Sequence, residues 1–245
     1  MRTGGTIKTT LQGNIFLMVG VIFEIGLIML SMIIFAKADS INPGVYSPDS
    51  KPFGLTYAEW TGKWWQWWLS HTQADDPASD STGKNCAQKQ SGPVWFLAGT
   101  VGGSAERTCT IPSGKAIMFP IIGSECSYAE YPNVKSQSDL NTCAQADNNA
   151  VTDLETTIDG VKLQDLKKYR VLSPIFNISF PEDNPLGAPA GPTQMVSDGF
   201  YVFLEPLTAG KHEVHFSGTT IDNPTTGTTR LAIEVTYHLT VASSR

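Results

Sequence analysis

The chain predicts a mainly β fold, an antiparallel β-sandwich with one helix packed on it. Three observations point there. The last strand-like segment, Arg230 to Val241, alternates strictly: Leu231, Ile233, Val235, Tyr237, Leu239 and Val241 on one side, Ala232, Glu234, Thr236, His238 and Thr240 on the other. That period of two buries one face. Short apolar runs bounded by Gly, Pro and Ser recur along the chain, as strands joined by turns do. Four cysteines, Cys86, Cys109, Cys126 and Cys143, all follow a hydrophobic N-terminal run. In an oxidising compartment an even count reads as two disulfides.

The N-terminal run, Ile15 to Ala36, is apolar except for Glu24, Ser31 and its glycines. At about 1.5 Å per residue, a helix of this length crosses a hydrocarbon core of about 30 Å. Arg2 and Lys8 precede it, which keeps the N-terminus inside and sends the rest outward. Two readings stay open for residues 1–38. One is an uncleaved single-pass anchor. The other is a signal peptide cut at the Ala36-Lys37-Ala38 site. Either way residues 39–245 work outside the cytoplasm, and the membrane is a partner through this segment alone.

Beyond Ala38 the chain holds 14 basic and 22 acidic residues, a net charge of −8. No basic run or basic-aromatic patch occurs, so nucleic acid and anionic lipid are poor partners. The remaining candidates are a protein, a glycan or a small ligand. Residues 39–54 are rich in Pro, Gly and Ser and read as a linker; residues 55–245 form the sandwich domain. Thr56-x-x-Glu59 is a capping-box signature opening a helix over LTYAEWTGKWWQWWLSH. On it Tyr57, Trp60, Trp64, Trp67, Trp68 and His71 share one face, and Glu59 and Lys63 are spaced for an ion pair on the other.

Val94 to Thr100, Arg107 to Ile111 and Ala116 to Ile122 then read as strands. Residues 124–143 read as a polar loop held by cysteines, and Ala146 to Thr156 as a second helix. Tyr169 to Leu172 and Phe176 to Phe180 read as strands, Pro181 to Asp198 as a long loop. Phe200 to Glu205 and His212 to Ser217 precede the final strand. Cys86–Cys109 and Cys126–Cys143 are the favoured pairs, because each brackets a compact segment, and each contributes about 3 kcal/mol in the chain-entropy model.

The blocks WTGKWWQWWLS, SGPVWFLAGT, CTIPSGKAIMFPIIGSEC, YRVLSPIFNISFPEDN and DGFYVFLEPLTAGKHEVHFSGT resemble a family of exported bacterial and archaeal proteins without an established function. The resemblance implies a shared extracytoplasmic fold and assigns no functional residue. PLTAGKHEVHFSG is similar to strand-turn-strand endings of immunoglobulin-like surface domains. The sandwich expected is therefore immunoglobulin-like or jelly-roll-like.

Five tryptophans lie between Trp60 and Trp68. They suit core packing, a platform for a sugar ring or other flat ligand, or a belt at the bilayer interface. Trp65, at the edge of the aromatic face, is the one expected exposed; Trp65, Trp68 and His71 are the candidate binding residues, with His71 also placed to cap the helix. Asp75, Asp76 and Asp80 crowd one loop, where calcium would be the matching cation, although DDPASDSTG is also turn chemistry. No other cofactor is indicated. His212-x-x-His215 is one residue short of the zinc-protease spacing, and on a strand the two point apart. Ser81-x-x-Lys84 lacks its companion motifs. Glu125, or Glu205 with Glu213, could belong to a glycosidase pair. Asn177-Ile178-Ser179 is a glycosylation acceptor pattern.

No catalytic signature emerges, and the expectation is a non-enzymatic surface binding module. A secreted hydrolase of glycan or cell-wall material and a structural envelope component are the alternatives. Intact mass separates the two export readings. An anchor leaves the native chain at 26.5 kDa, whereas cleavage removes residues 1–38.

Overall fold

Two five-stranded sheets organise the chain. The computed structural model describes Met1 and residues 41–42, 44–222 and 229–243. The hydrophobic run 15–36 and the anchor or signal at 1–38 lie outside the described residues. Ile41–Arg245 forms one compact unit.

The strands are β1 (Val94–Phe96), β2 (Gly103–Ile111), β3 (Ala116–Ser127), β4 (Val151–Ile158), β5 (Val161–Lys162), β6 (Arg170–Leu172), β7 (Phe176–Phe180), β8 (Gly191–Leu204), β9 (Gly210–Thr220) and β10 (Ala232–Val241). The first sheet runs β1-β3-β8, and the far edge of β8 is shared by β6 and β7. The second runs β2-β10-β9-β4-β5. Both sheets are mixed, because β1 pairs parallel with β3 and β2 parallel with β10. The other six pairings are antiparallel, so the expected antiparallel character holds for most of the structure and fails at these two. Alternation reports which face is buried, and it is blind to strand direction.

The sheets meet through aromatic rings. Phe119 of β3 stacks on Phe216 of β9 with ring centroids 4.7 Å apart, and Phe216 stacks in turn on Tyr237 of β10. Gly218 of β9 allows the close approach: a Cβ there would lie 2.9 Å from the Cβ of Ile122 in β3.

Helix α1 (Tyr57–Trp68) starts as its capping box dictates. The Glu59 amide donates to Thr56 Oγ1, and the Thr56 amide donates to the Glu59 carboxylate at 2.7 Å. Such a cap is worth about 1 kcal/mol. It also engages the carboxylate expected to pair with Lys63, and the Glu59–Lys63 ion pair does not form.

Four segments depart from the sequence reading. Residues 124–143 are not a loop: β3 continues to Ser127, and helix α2 (Gln137–Asn148) follows. Ser136 and Asp139 cap α2 reciprocally, a capping box with Asp in place of the usual Glu. The helix expected at Ala146 to Thr156 is instead the end of α2 and most of β4. Val151, Leu154 and Ile158 fit helical spacing, but VTDLETTI is rich in β-branched residues, which favour strands. The loop expected at 181–198 ends early, because β8 begins at Gly191 with Pro192 near its start, where a proline is tolerated. Nor do residues 42–54 behave as a linker. Val45 bridges to Leu204, and buried Asn42 binds Gln164 and Tyr169.

Arg107, 1% exposed, sits inside this core without a carboxylate partner. Its Nε donates to Asp80 O, Nη1 to Ala98 O, Gly99 O and Tyr237 Oη, and Nη2 to Ala78 O. One guanidinium thus holds two loops and β10 together. Arg107→Met should cost about 3–5 kcal/mol, because buried carbonyls lose a charged donor. Arg107→Lys should recover little of it, since an ammonium lacks the planar fork. Urea unfolding midpoints measure both.

Candidate functional site

The tryptophan helix supplies one wall of an apolar pocket. All five of its indoles are buried, and each N–H has an acceptor. Trp60 donates to Pro52 O, Trp64 to Leu97 O, Trp65 to Tyr201 Oη, Trp67 to Gln88 O and Trp68 to Asp76 Oδ1, at 2.7–3.0 Å. Trp65 is 4% exposed and is therefore not the surface platform the helical wheel suggested. A wheel assumes one covered face. Here a second flank is covered as well, where Phe176 of β7 lies against Gly62 and Tyr201 of β8 receives Trp65.

Trp64, Trp65 and Trp68 still reach a cavity of about 120 Å³, closed by Gly99, Ile122 and Leu231. A chamber of about 270 Å³ adjoins it, lined by Ser124, Asp147, Asn148 and Arg230; the two share Ile122, Gly123 and Leu231. Asn148 is fixed by donating to Ser124 Oγ and Asp198 O.

The remaining sequence candidates lie elsewhere. His71 closes α1, its Nδ1 3.0 Å from the carbonyls of Trp67 and Trp68, and it is fully buried with Nε2 unpaired. The three loop aspartates do not converge. Asp76 receives Trp68 Nε1 and Ser79, Asp80 receives Thr82 and Asn85, and Asp75 receives Thr72 and faces Lys89. Burial raises the Asp75 pKa, but the Thr72 hydroxyl and amide and Lys89 outweigh it and hold it at about 2. Among the described residues no three His, Cys, Asp or Glu side chains gather as metal ligands. Asn177 stands exposed on β7.

His212 binds Asp159 at 2.7 Å, and His238 binds Glu106 at 2.8 Å with Glu213 3.6 Å away. Burial disfavours the His212 imidazolium, but Asp159 and the Thr208 carbonyl outweigh it and raise the pKa.

Glu125, a sequence candidate, has an acidic neighbour that the sequence reading missed. Glu125, 9% exposed on β3, faces Glu130 in the turn that follows, and Ser127 Oγ donates to Glu130 at 2.7 Å. Burial, then the negative charge of Glu130, push the Glu125 carboxyl well above the usual carboxylate range. Both causes favour the neutral form of the Glu125 carboxyl over its carboxylate. Tyr201 lies between this pair and the pocket. Its hydroxyl takes the Trp65 N–H, and its pKa is raised by burial first, with Asp198 and Glu125 adding to the rise. Its ring crosses Gly123 and Gly199, where a Cβ on Gly199 would stand 2.6 Å from the Gly123 Cα.

No protein-family model, curated protein or solved structure matches this chain. The block resemblance therefore assigns no residue here.

Glu125 makes stability pH-dependent in a defined direction. Its folded pKa is raised, so its stabilisation is complete below about pH 4.3, the unfolded glutamate value, and is lost as pH rises toward the folded value. Glu125→Gln keeps the shape and a donor to Glu130. The variant should match the parent in urea midpoint at pH 4 and exceed it at pH 8. Parallel profiles would show that Glu125 is ionised in the fold.

Proposed function

We propose that residues 15–36 carry the chain out of the cytoplasm, and that the two-sheet body is a non-enzymatic binding module there. The body has a sandwich-like arrangement. Its ligand site is the cavity beneath the tryptophan helix. The observation that supports this most is the cavity itself: three tryptophans, two isoleucines and a leucine line a space of about 120 Å³. That is close to the roughly 150 Å³ cavity that accepts benzene. Every indole N–H around it is already bonded, so the wall offers shape and apolar surface only. Concave apolar pockets with polar groups at one end are the usual form of small-molecule sites.

Two disulfides, Cys86–Cys109 and Cys126–Cys143, suit an extracytoplasmic protein. A glycosidase would need two carboxyls about 5–9.5 Å apart across an open cleft. Glu125 is instead buried beside Glu130, and the tryptophans that would hold a sugar are covered. A structural envelope component is disfavoured because exposed large apolar side chains such as Phe53, Val101 and Val161 are scattered among the described residues.

The test is a fluorescence titration of the full chain with toluene. The tryptophan emission should change saturably. Gly99→Leu places a side chain at the cavity wall, with only Pro120 nearby at 3.9 Å, and should abolish the change while leaving the urea midpoint within about 1 kcal/mol of the parent. An unresponsive parent would overturn the binding reading.

A further inference from the structure

Resting on the export reading and independent of the cavity, we infer that Asn177 is the attachment site of an N-linked glycan. Its tripeptide, Asn177-Ile178-Ser179, carries a hydroxyl two residues after the amide, as such attachment requires. No other asparagine of the chain opens an acceptor tripeptide. Asn223-Pro224-Thr225 comes nearest, and its central proline excludes it. A tripeptide this common becomes a site only where the fold presents it.

Strand β7 presents it in the open. It pairs with β8 on one side, and among the described residues no strand pairs with its other side. Residues two apart in a strand share a face. Ile178 and Phe180 therefore turn into the core together, while Asn177 and Ser179 stand exposed together. The amide and the hydroxyl that the reaction needs project from one face into solvent. Neither is committed to the fold. The Asn177 amide oxygen accepts from Gln194 Nε2 at 3.3 Å, and its backbone carbonyl accepts from Gln66 Nε2 at 2.8 Å. Among the described residues its Nδ2 donates to no acceptor, and the Ser179 hydroxyl has no partner.

The strand also gains from the attachment. An edge with unpaired backbone groups invites a second chain to add to it, and edges are usually blunted by a charge or a proline. Phe176–Phe180 holds neither. A bulky hydrophilic group on Asn177 supplies the missing block. Asn177 does not line the tryptophan cavity, so the glycan leaves that cavity clear. The donor is an oligosaccharide carried on a polyisoprenoid diphosphate. Asn177 Nδ2 bonds to the anomeric carbon and loses one proton. The bond from that carbon to the diphosphate oxygen breaks, and the lipid diphosphate leaves with the electron pair.

Mass spectrometry of the native protein tests this. Source cells are separated into cytosol, envelope and medium, and the chain is digested with trypsin. The fragment 171–211, which holds Asn177, should exceed its sequence mass by whole sugar residues. Asn177→Gln and Ser179→Ala, returned to the source cells, should each lose the added mass completely, and Ser179→Thr should keep it. Both positions are exposed, so none of these changes touches the core. An exported, disulfide-bonded chain whose fragment has its bare sequence mass overturns the assignment while the export reading stands. Added mass that survives Asn177→Gln overturns it as well. A chain found in the cytosol with four free thiols overturns both.

Discussion

Five buried indoles on one helix impose a requirement that much of the rest of the structure meets. An indole contributes a large apolar surface but carries one N–H, and burying that donor unpaired costs about 1–3 kcal/mol. On α1 the five donors find acceptors in the 52, 76, 88, 97 and 201 regions. None of these is a neighbour on the helix surface. The aspartate-rich loop, the segment after the first cysteine, the end of β1 and the middle of β8 are each held in register with α1 through one bond. The aromatic helix acts as a keystone, and the irregular segments around it are ordered because it needs them.

Arg107 does the same from the opposite side. Its five donated bonds reach carbonyls of the loops at 78–80 and 98–99 and the hydroxyl of Tyr237. Asp76 and Ala78 lie two residues apart, one bound by Trp68 and the other by Arg107. Leu97 and Ala98 are similarly divided between Trp64 and Arg107. Helix and arginine therefore clamp the same two loops. Ala78 and Gly99, at the ends of that clamp, also line the apolar cavity. A well-satisfied polar network beside an apolar cavity keeps the cavity from collapsing, because the backbone that borders it cannot move inward without breaking charged hydrogen bonds.

The strands with strict alternation, β9 and β10, were legible in the sequence because one face meets the core and the other meets water. So were the capping box of α1 and the two cysteine pairings. Strand direction was not: β2 pairs in parallel with β10 from more than a hundred residues away, and no local pattern records a partner's polarity. Helix α2 was hidden because its surface is polar and only Leu140, Ala144 and the polar Asn148 are buried on it. Of the site, the tryptophans were visible and their environment was not. Periodicity placed Trp65 at an edge, and β7 and Tyr201, distant in sequence, cover that edge. Arg107 did leave a trace, standing at the inward parity of a strand with Cys109 and Ile111, where a charge must be either an error or a tie. Glu130, Asp147 and Arg230 left none, because exposed or half-exposed charges are ordinary in an acidic chain.

The bond between Cys126 and Cys143 joins β3 to the last turns of α2, and Asp147 and Asn148 follow within five residues of Cys143. A small apolar cluster around Leu140, Ala144 and Val196, and the bonds of Asn148 to Ser124 Oγ and Asp198 O, seat that helix beside the disulfide. The polar rim of the cleft is thus set by a covalent bond and a few polar ones rather than by a large core. While the thiols are reduced, α2 lacks its tether and the rim lacks its fixed geometry. On the proposed binding reading, competence to hold a solute follows the closing of this one bond, and oxidation acts as the maturation signal.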